Sequence, residues 1–245
     1  MSDRMRLDQL LVQRELVESR GKAQALIRAG SVRVADQPMT KPGHLFAVDA
    51  EITVDQPPKY VSRGGEKMAA ALDAFPVEVN GRICMDIGAS TGGFTDCLLQ
   101  HGARHVYAVD VGKGQLHWDL RQDERVTVME GVNARHLEPA WFDAVPTLAV
   151  ADVSFISLTK VLPAIHSVLA PGGEAVTLIK PQFEAGREQV GKGGVVRDPA
   201  VHKVVLATVQ QFGEERLGWM WQGHNVSPLK GPAGNVEFLA YWKTP

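Results

Sequence analysis

The sequence has few of the features that secreted, metal-binding or membrane proteins need. Only two of its 245 residues are cysteine, Cys84 and Cys97, and their spacing matches neither a metal site nor a disulfide framework. No apolar run approaches the ~18 residues of a membrane-spanning helix, and the first residues are charged where a signal peptide would be apolar. With 44% hydrophobic and 22% charged residues, the composition is that of an ordinary globular protein. We therefore predict a cytoplasmic protein that needs neither a metal nor a membrane.

The chain also lacks a general excess of positive charge, since its net charge is −2. Basic residues are nevertheless concentrated near the N-terminus, where residues 1–43 contain eight Arg or Lys and five Asp or Glu, a balance of +3. This region has the pattern of an amphipathic helix from Leu7 and of a second helix that Ser19 caps and Gly30 ends, followed by short strands. It predicts a small α+β domain over residues 1–56. The basic stripe suits RNA phosphates, but a solvated helix face would have the same pattern.

Two adjacent prolines, Pro57 and Pro58, mark a stiff connector, and we place a linker at residues 57–61. Residues 62–245 are enough for one complete α/β domain. Apolar runs alternate there with helical patterns, which predicts a Rossmann-like fold with a mostly parallel seven-stranded sheet and helices on both faces. The predicted strands are 83–87, 105–110, 126–129, 148–152, 174–179, about 219–224 and 236–242.

The glycine-rich turn after the first of these strands, residues 88–93, is typical of a nucleotide-binding strand–turn–helix unit. Asp86 precedes the turn, and a carboxylate there would repel a pyrophosphate but suit the cationic groups of S-adenosylmethionine. Asp110 lies 22 residues after Gly88, where nucleotide folds place an acid that binds ribose hydroxyls. Asn133 falls in a loop on the expected adenine side. The predicted cofactor-binding residues are Asp86, Gly88, Ser90, Thr91, Gly92, Gly93, Phe94, Asp110, Asn133 and Asp152.

Two other interpretations of this turn stay open on its residues alone. A glycine-rich turn can be purely structural. Residues 88–92 also spell Gly-x-Ser-x-Gly, the nucleophile elbow of α/β-hydrolases. That elbow normally follows several strands, whereas here it follows the first predicted strand of its domain, which disfavours a hydrolase.

Charged residues close two otherwise apolar central strands. Asp152 and Lys180 are predicted at the carboxyl ends of neighbouring strands, beside the crevice where open α/β sheets bind ligands. Either residue alone could belong to a structural ion pair, but together with the glycine-rich turn these two favour catalysis. Lys67 lies in the first turn of a helix, where the helix dipole disfavours a cation. Such a position can mark a functional residue, but a surface lysine placed there by chance is the commoner case.

Four segments of the second domain carry a family resemblance: 86–95 (DIGASTGGFT), 151–157 (ADVSFIS), 180–186 (KPQFEAG) and 227–237 (SPLKGPAGNVE). They resemble the TlyA family, also labelled hemolysin A, which belongs to the FtsJ-like ribose methyltransferases. The N-terminal segments 6–8 (RLD), 19–20 (SR), 25–27 (ALI), 30–34 (GSVRV) and 41–43 (KPG) resemble the alpha-L RNA-binding module.

The resemblance implies 2′-O-methylation of a cytidine ribose in ribosomal RNA, with S-adenosylmethionine as the donor and a ribosomal subunit as the partner. It places a catalytic Lys-Asp-Lys-Glu tetrad on Lys67, Asp152, Lys180 and Glu237. No metal is required because the donor is already activated. Shorter chains of the family tend to act on large-subunit RNA alone, which makes that RNA the expected substrate. The predicted RNA-binding residues are Arg6, Arg20, Lys22, Arg28, Arg33, Lys41, Arg63, Arg187 and Lys192.

The glycine-rich, basic segment 187–197 is predicted to be a mobile loop that closes over the RNA, although a flexible surface loop would have the same composition. Two further functions are alternatives to methylation. A ribosome-assembly factor that binds RNA without catalysis would not need the complete tetrad. A membrane-active hemolysin would need a spanning or basic amphipathic segment that the sequence lacks.

Overall fold

The computed structural model describes residues 4–55 and 58–245, so residues 56 and 57, at the predicted domain boundary and the start of the predicted linker, lie outside the described residues. The chain divides into two compact units between Lys59 and Tyr60.

The described part of the N-terminal unit, residues 4–55 and 58–59, contains two helices and five short strands. Its elements are β1 (Arg4–Arg6), α1 (Leu7–Gln13), α2 (Arg20–Arg28), β2 (Val32–Val34), β3 (Gln37–Met39), β4 (Leu45–Ala47) and β5 (Ile52–Val54). Strand β1 pairs with β4, and a second antiparallel sheet has the order β3-β2-β5. As predicted, the Ser19 hydroxyl caps α2 by accepting a hydrogen bond from the Lys22 amide. Leu7, Leu11 and Ile27 are fully buried in the small core between the helices and the strands.

The second unit contains a seven-stranded sheet. Its strands are β6 (Ile83–Ile87), β7 (His105–Asp110), β8 (Val126–Glu130), β9 (Leu148–Ala151), β10 (Glu174–Ile179), β11 (Met220–Val226) and β12 (Phe238–Lys243). The order across the sheet is β11-β12-β10-β9-β6-β7-β8. Strands β6 to β10 are parallel, and β12 runs antiparallel to both of its neighbours. The predicted mostly parallel sheet of seven strands is therefore confirmed.

Helices cover both faces of this sheet. They are α3 (Gly64–Ala74), α4 (Gly93–Gln100), α5 (Trp118–Gln122), α6 (Leu162–Val168), α7 (Pro181–Glu184) and α8 (Pro199–Leu217). Side chains of α3 and α4 pack with Cys84 of β6, whereas those of α6 and α8 pack with Met85, the next residue of the same strand. Successive strand residues thus enter two different cores, which is why the central strands are apolar on both faces.

The helical segment after β9 is interrupted. Leu158–Lys160 form a single 3-10 turn, and α6 then begins at Leu162. Pro163 lies in the first turn of α6, where its missing amide hydrogen removes no helical hydrogen bond.

The strand order places a crevice between β6 and β9. The chain adds β7 and β8 on one side of β6 and then returns to place β9 and β10 on the other side. Loops leaving β6 and β9 therefore diverge, and the carboxyl ends of these strands border the space between them. Within the described parts of the chain, no helix has the length and apolar character required to cross a bilayer.

Candidate active site

The turn after β6 brings two backbone segments into close approach. Gly88 has a φ of +86°, and a Cβ atom at this position would lie 2.6 Å from the carbonyl oxygen of Asp152. Any other residue would be strained in this conformation and would clash with the segment after β9. Gly88 thus lets the turn and the end of β9 form adjoining walls of the crevice.

Asp86 lies under this turn and does not face open solvent. Its side chain is fully buried, and Oδ2 accepts hydrogen bonds from the backbone amide (2.9 Å) and the hydroxyl (2.7 Å) of Thr95. Burial raises the pKa of Asp86 to about 7, although the bonds from Thr95 act in the opposite direction. Oδ1 is buried without a hydrogen-bond partner and borders the cavity above it. The carboxylate therefore does not point freely at a ligand. Oδ2 is hydrogen-bonded to Thr95 of α4, and Oδ1 lies beneath the cavity.

Asp110 ends β7, as the spacing predicted. Its Oδ2 accepts a hydrogen bond from the Ser90 amide (2.8 Å), and its Oδ1 accepts one from the Gly112 amide (2.6 Å). Together with Asn133 and Val111, Asp110 lines a cavity of about 480 Å³, which we call the donor cavity. The carboxylate therefore has a fixed orientation at the wall of this cavity.

A second cavity of about 270 Å³, the acceptor cavity, lies on the other side of Asp152 and Ser154, which line both cavities. Nine of the ten predicted cofactor-binding residues border one cavity or both; they are Asp86, Gly88, Ser90, Thr91, Gly93, Phe94, Asp110, Asn133 and Asp152. Gly92 does not, because its Cα faces the side chains of Leu116 and Leu120. Its role in the structure is to form the turn, with a φ of +96°.

The four residues of the predicted tetrad form one continuous chain of charges in the acceptor cavity. Lys67 Nζ lies 2.6 Å from Glu237 Oε2 and 3.9 Å from Asp152 Oδ2, and Lys180 Nζ lies 2.5 Å from Asp152 Oδ1. Glu237 is only 1% exposed and Lys180 only 8%. The chain Glu237–Lys67–Asp152–Lys180 alternates in sign, so each buried charge has an opposite neighbour.

Different elements supply these four side chains. Asp152 and Lys180 directly follow the adjacent parallel strands β9 and β10, and Glu237 directly precedes β12. Lys67 extends from the first turn of α3, where the pairing with Glu237 compensates for its unfavourable place in the helix dipole.

Sequence reasoning missed two individual residues of this site. Ser154 Oγ accepts a hydrogen bond of 2.8 Å from Lys180 Nζ, so the ammonium group has two fixed partners. Phe155, the next residue, has a φ of +64° and is 91% exposed, and its ring lies 5.2 Å from the ring of Phe183. Both belong to the 151–157 motif, but the motif does not reveal which of its side chains face the cavity.

Comparison with known proteins decides the family. The FtsJ-like methyltransferase family matches residues 60–244, and the S4 domain family matches residues 5–52. The chain belongs to the FtsJ-like methyltransferase family. Its second unit is therefore a methyltransferase domain, and its first is an S4 domain.

Three relatives of this methyltransferase match it over its whole length. A Mycobacterium tuberculosis protein named 16S/23S rRNA (cytidine-2′-O)-methyltransferase TlyA is 48% identical, over 100% of this chain and 91% of its own. A Bacillus subtilis protein, provisionally named rRNA methyltransferase YqxC, is 51% identical over 100% of this chain and 87% of its own. A solved Streptococcus thermophilus structure, provisionally titled a hemolysin, is 45% identical with a TM-score of 0.75, over 100% of this chain and 90% of its own.

In the S4 domain, two predicted RNA-binding arginines converge on one buried carboxylate. Asp8 is fully buried. Arg6 donates two hydrogen bonds to it (both 3.0 Å), Arg20 donates one (3.0 Å), and Gln24 donates a fourth (2.9 Å). The hydrogen bonds from Arg6, and then those from Gln24 and Arg20, hold the pKa of Asp8 well below its usual range against the opposing effect of burial. Asp8 thus fixes the direction of two guanidinium groups, of which 41% and 52% of the side-chain surface is exposed.

The other predicted RNA-binding residues are all exposed, namely Lys22, Arg28, Arg33, Lys41, Arg63, Arg187 and Lys192. Two of them form ion pairs at the surface, Lys22 with Glu18 (3.1 Å) and Arg33 with Asp55 (3.6 Å). Such exposed pairs contribute little energy and open readily when a phosphate competes. Arg63 also borders the acceptor cavity of the methyltransferase domain.

The segment 187–197 is attached at its C-terminal end to the tetrad region. Asn235, 1% exposed, donates a hydrogen bond to the Gly194 carbonyl (2.9 Å) and accepts one from the Val196 amide (2.9 Å). Closure of this loop over RNA remains a prediction.

Among residues 4–55 and 58–245, no group of three or more His, Cys, Asp or Glu side chains is arranged to hold a metal ion.

Proposed function

We propose that this protein transfers the methyl group of S-adenosylmethionine to the 2′-hydroxyl of a cytidine ribose in ribosomal RNA, with large-subunit RNA as the expected substrate. The observation that carries the proposal is the alternating chain Glu237–Lys67–Asp152–Lys180 at the junction of two cavities. The name of the Mycobacterium tuberculosis relative, which covers both ribosomal RNAs, supports the substrate class.

Groups along both cavities fit the parts of S-adenosylmethionine. Asp86 lines the acceptor cavity, and its Oδ1 is a buried acceptor without a partner, which an ammonium group would satisfy. Asp110 presents a carboxylate whose oxygens can accept further hydrogen bonds from ribose hydroxyls. Gly88 leaves the cavity wall free of a side chain. When bound, the donor supplies a methyl group on a positively charged sulfur, which is already activated for transfer.

The residues of the chain must then activate the acceptor, because a ribose hydroxyl is a poor nucleophile at neutral pH. Lys180 Nζ is held by Asp152 and Ser154, which leaves its third N–H to donate to the 2′-oxygen. As the oxygen–methyl bond forms and the sulfur–methyl bond breaks, the hydroxyl proton passes to water; Lys180 stabilises the negative charge that develops on the oxygen, and Asp152 balances the positive charge on Nζ. Lys67, fixed by Glu237, orients the hydroxyl from the other side.

Aromatic and basic side chains surround the approach to Lys180 and suit a single RNA strand. Phe155 and Phe183 border a further cavity of about 590 Å³, together with Arg135, Lys160 and Arg187. An exposed aromatic ring offers a stacking surface to an unstacked base, and the cations offer partners to its flanking phosphates. We propose that the target cytidine leaves its stack and rests on Phe155 while its ribose enters the acceptor cavity.

The decisive experiment measures methyl transfer from labelled donor to ribosomal subunits from a strain without this gene. Lys180→Ala is expected to lower kcat by about 10²–10³-fold, the usual contribution of a donor that stabilises a developing oxyanion, while donor affinity measured by calorimetry stays unchanged. Lys203→Ala, an exposed lysine of α8, is the matched control and is expected to retain full activity.

Two outcomes would contradict the proposal. Absence of transfer to either ribosomal RNA by the wild-type protein would exclude the function itself. Normal turnover by Lys180→Ala would exclude the role of the tetrad.

A further inference from the structure

Two segments leave the sheet side by side next to the tetrad. One is residues 152–158, which follow β9, and the other is α7, which follows β10 directly after Lys180. They touch first where Lys180 Nζ donates to Ser154 Oγ (2.8 Å) and again where the Phe155 ring meets the Phe183 ring (5.2 Å). Phe155 therefore lies where the segments that follow β9 and β10 contact each other.

The backbone of Phe155 is strained. Its φ of +64° lies in the left-handed region, which is unfavourable for a bulky residue and persists only when neighbouring contacts hold it. The side chain does not repay this cost by burial, since it is 91% exposed. The contacts that keep Phe155 in place must therefore lie on the residues around it.

Glu184 supplies such contacts. At the end of α7, its carboxylate accepts a hydrogen bond from the Ser157 hydroxyl (2.6 Å) and another from the Leu158 backbone amide (2.7 Å). Burial raises the pKa of Glu184, and these two bonds oppose the shift by stabilising the charged form. The carboxylate thus ties the far end of the 152–158 segment to α7.

We propose that Glu184 is a positioning residue for RNA: by holding Ser157 and Leu158, it keeps Phe155 turned outward toward the base of the target nucleotide. The inference rests on the function proposed above. Glu184 itself touches neither the ribose nor the donor in this scheme, so its loss should affect RNA binding more than the chemical step.

The test compares two substitutions of Glu184 by steady-state kinetics. Glu184→Ala removes both hydrogen bonds and is expected to raise KM for RNA about tenfold, with kcat nearly unchanged. Donor affinity is expected to change less than KM for RNA, although Phe155 and Ile156 also line the donor cavity. Glu184→Gln is expected to recover most of this loss, because its amide oxygen can accept from the Leu158 amide while its nitrogen donates to the Ser157 hydroxyl. Glu215→Ala, an exposed glutamate of α8, is the control.

A double-substitution cycle separates positioning from a general loss of stability. If Glu184 acts through Phe155, then Glu184→Ala should raise KM much less in a Phe155→Leu background than in the wild type. Should Glu184→Ala fail to fold, Ser157→Ala removes one of the two bonds and is expected to raise KM about threefold, with the exposed Ser167→Ala as its control.

The inference would be overturned if KM for RNA stayed at the wild-type value in Glu184→Ala or in Ser157→Ala, including the case in which only kcat fell in these variants. It would also be overturned if the effects of Glu184→Ala and Phe155→Leu on KM were additive. These results require an active wild-type enzyme. Failure of the wild-type enzyme to methylate RNA would instead refute the proposed function, so the two failures are distinguishable.

Discussion

The buried pair of Lys67 and Glu237 makes a sharp prediction about stability and catalysis. We consider Lys67→Met, Glu237→Leu and the double variant. Glu237 is 1% exposed, the Lys67 side chain is 12% exposed, and their charged atoms lie 2.6 Å apart. Removing one partner of such a pair leaves an uncompensated buried charge, whereas replacing both by apolar residues of similar size is often neutral or stabilising.

The structure orders the expected losses. Lys67→Met removes the cation 2.6 Å from Glu237 and should cost about 3–4 kcal/mol. Glu237→Leu should cost less, about 2–3 kcal/mol, because Lys67 keeps Asp152 at 3.9 Å as a second partner. The double variant should lie within about 1 kcal/mol of the wild type. For a unit of this size, each kcal/mol lost from the free energy of unfolding lowers the melting temperature by about 2–4 °C. The single variants should therefore melt roughly 4–16 °C below the wild type.

The assay can observe the methyltransferase domain alone. All five tryptophans follow Lys59, so their fluorescence during urea unfolding reports this unit and not the S4 domain. Methyl transfer is measured on the same samples. We expect the double variant to regain stability but to remain inactive, because the pair is required to orient the hydroxyl.

Two results would refute this reasoning. A double variant as unstable as Lys67→Met would mean that unpaired buried charge is not the source of the loss. A double variant with wild-type turnover would mean that these two residues take no part in catalysis.

Two further predictions concern pH. Because burial raises the pKa of Asp86 to about 7, its carboxylate gains negative charge between about pH 6 and pH 8. Affinity for the cationic donor should therefore increase over that range more than it does in Asp86→Asn. Calorimetry that finds equal increases in both proteins would contradict this prediction. In the S4 domain, the lowered pKa of Asp8 means that its stabilising contribution is present at neutral pH and is lost as the pH falls below about 4. Hydrogen exchange of the α1 amides should therefore accelerate more steeply between about pH 5 and pH 3, relative to the intrinsic rate, than in Asp8→Asn, and identical profiles would contradict the assignment.

The local elements of this protein follow from local chemistry. The Ser19 cap, the Asp198–Pro199 start of α8 and the glycine-rich turn after β6 each depend on residues within a few positions of one another. The proximity of Asp152 and Lys180 was predictable as well, because neighbouring parallel strands end at the same edge of a sheet. By contrast, Lys67 and Glu237 joined them in the prediction only through the family resemblance, since they lie 170 residues apart.

What the sequence by itself determined, then, is the type and order of the main elements, the glycine-rich ligand turn, and the two charged residues at adjacent strand ends. Only the tertiary structure decided that Asp86 lies beneath the cavity, that Gly92 faces Leu116 and Leu120, and that Phe155 is strained and exposed. The physical reason is the range of the interactions. Caps, turns and apolar periodicity act between near neighbours in the chain, whereas a side chain's burial and partners depend on residues that folding brings together from distant segments. Glu184 illustrates this, because its hydrogen bonds reach back 26 and 27 residues to the segment after β9, which no local pattern relates to α7.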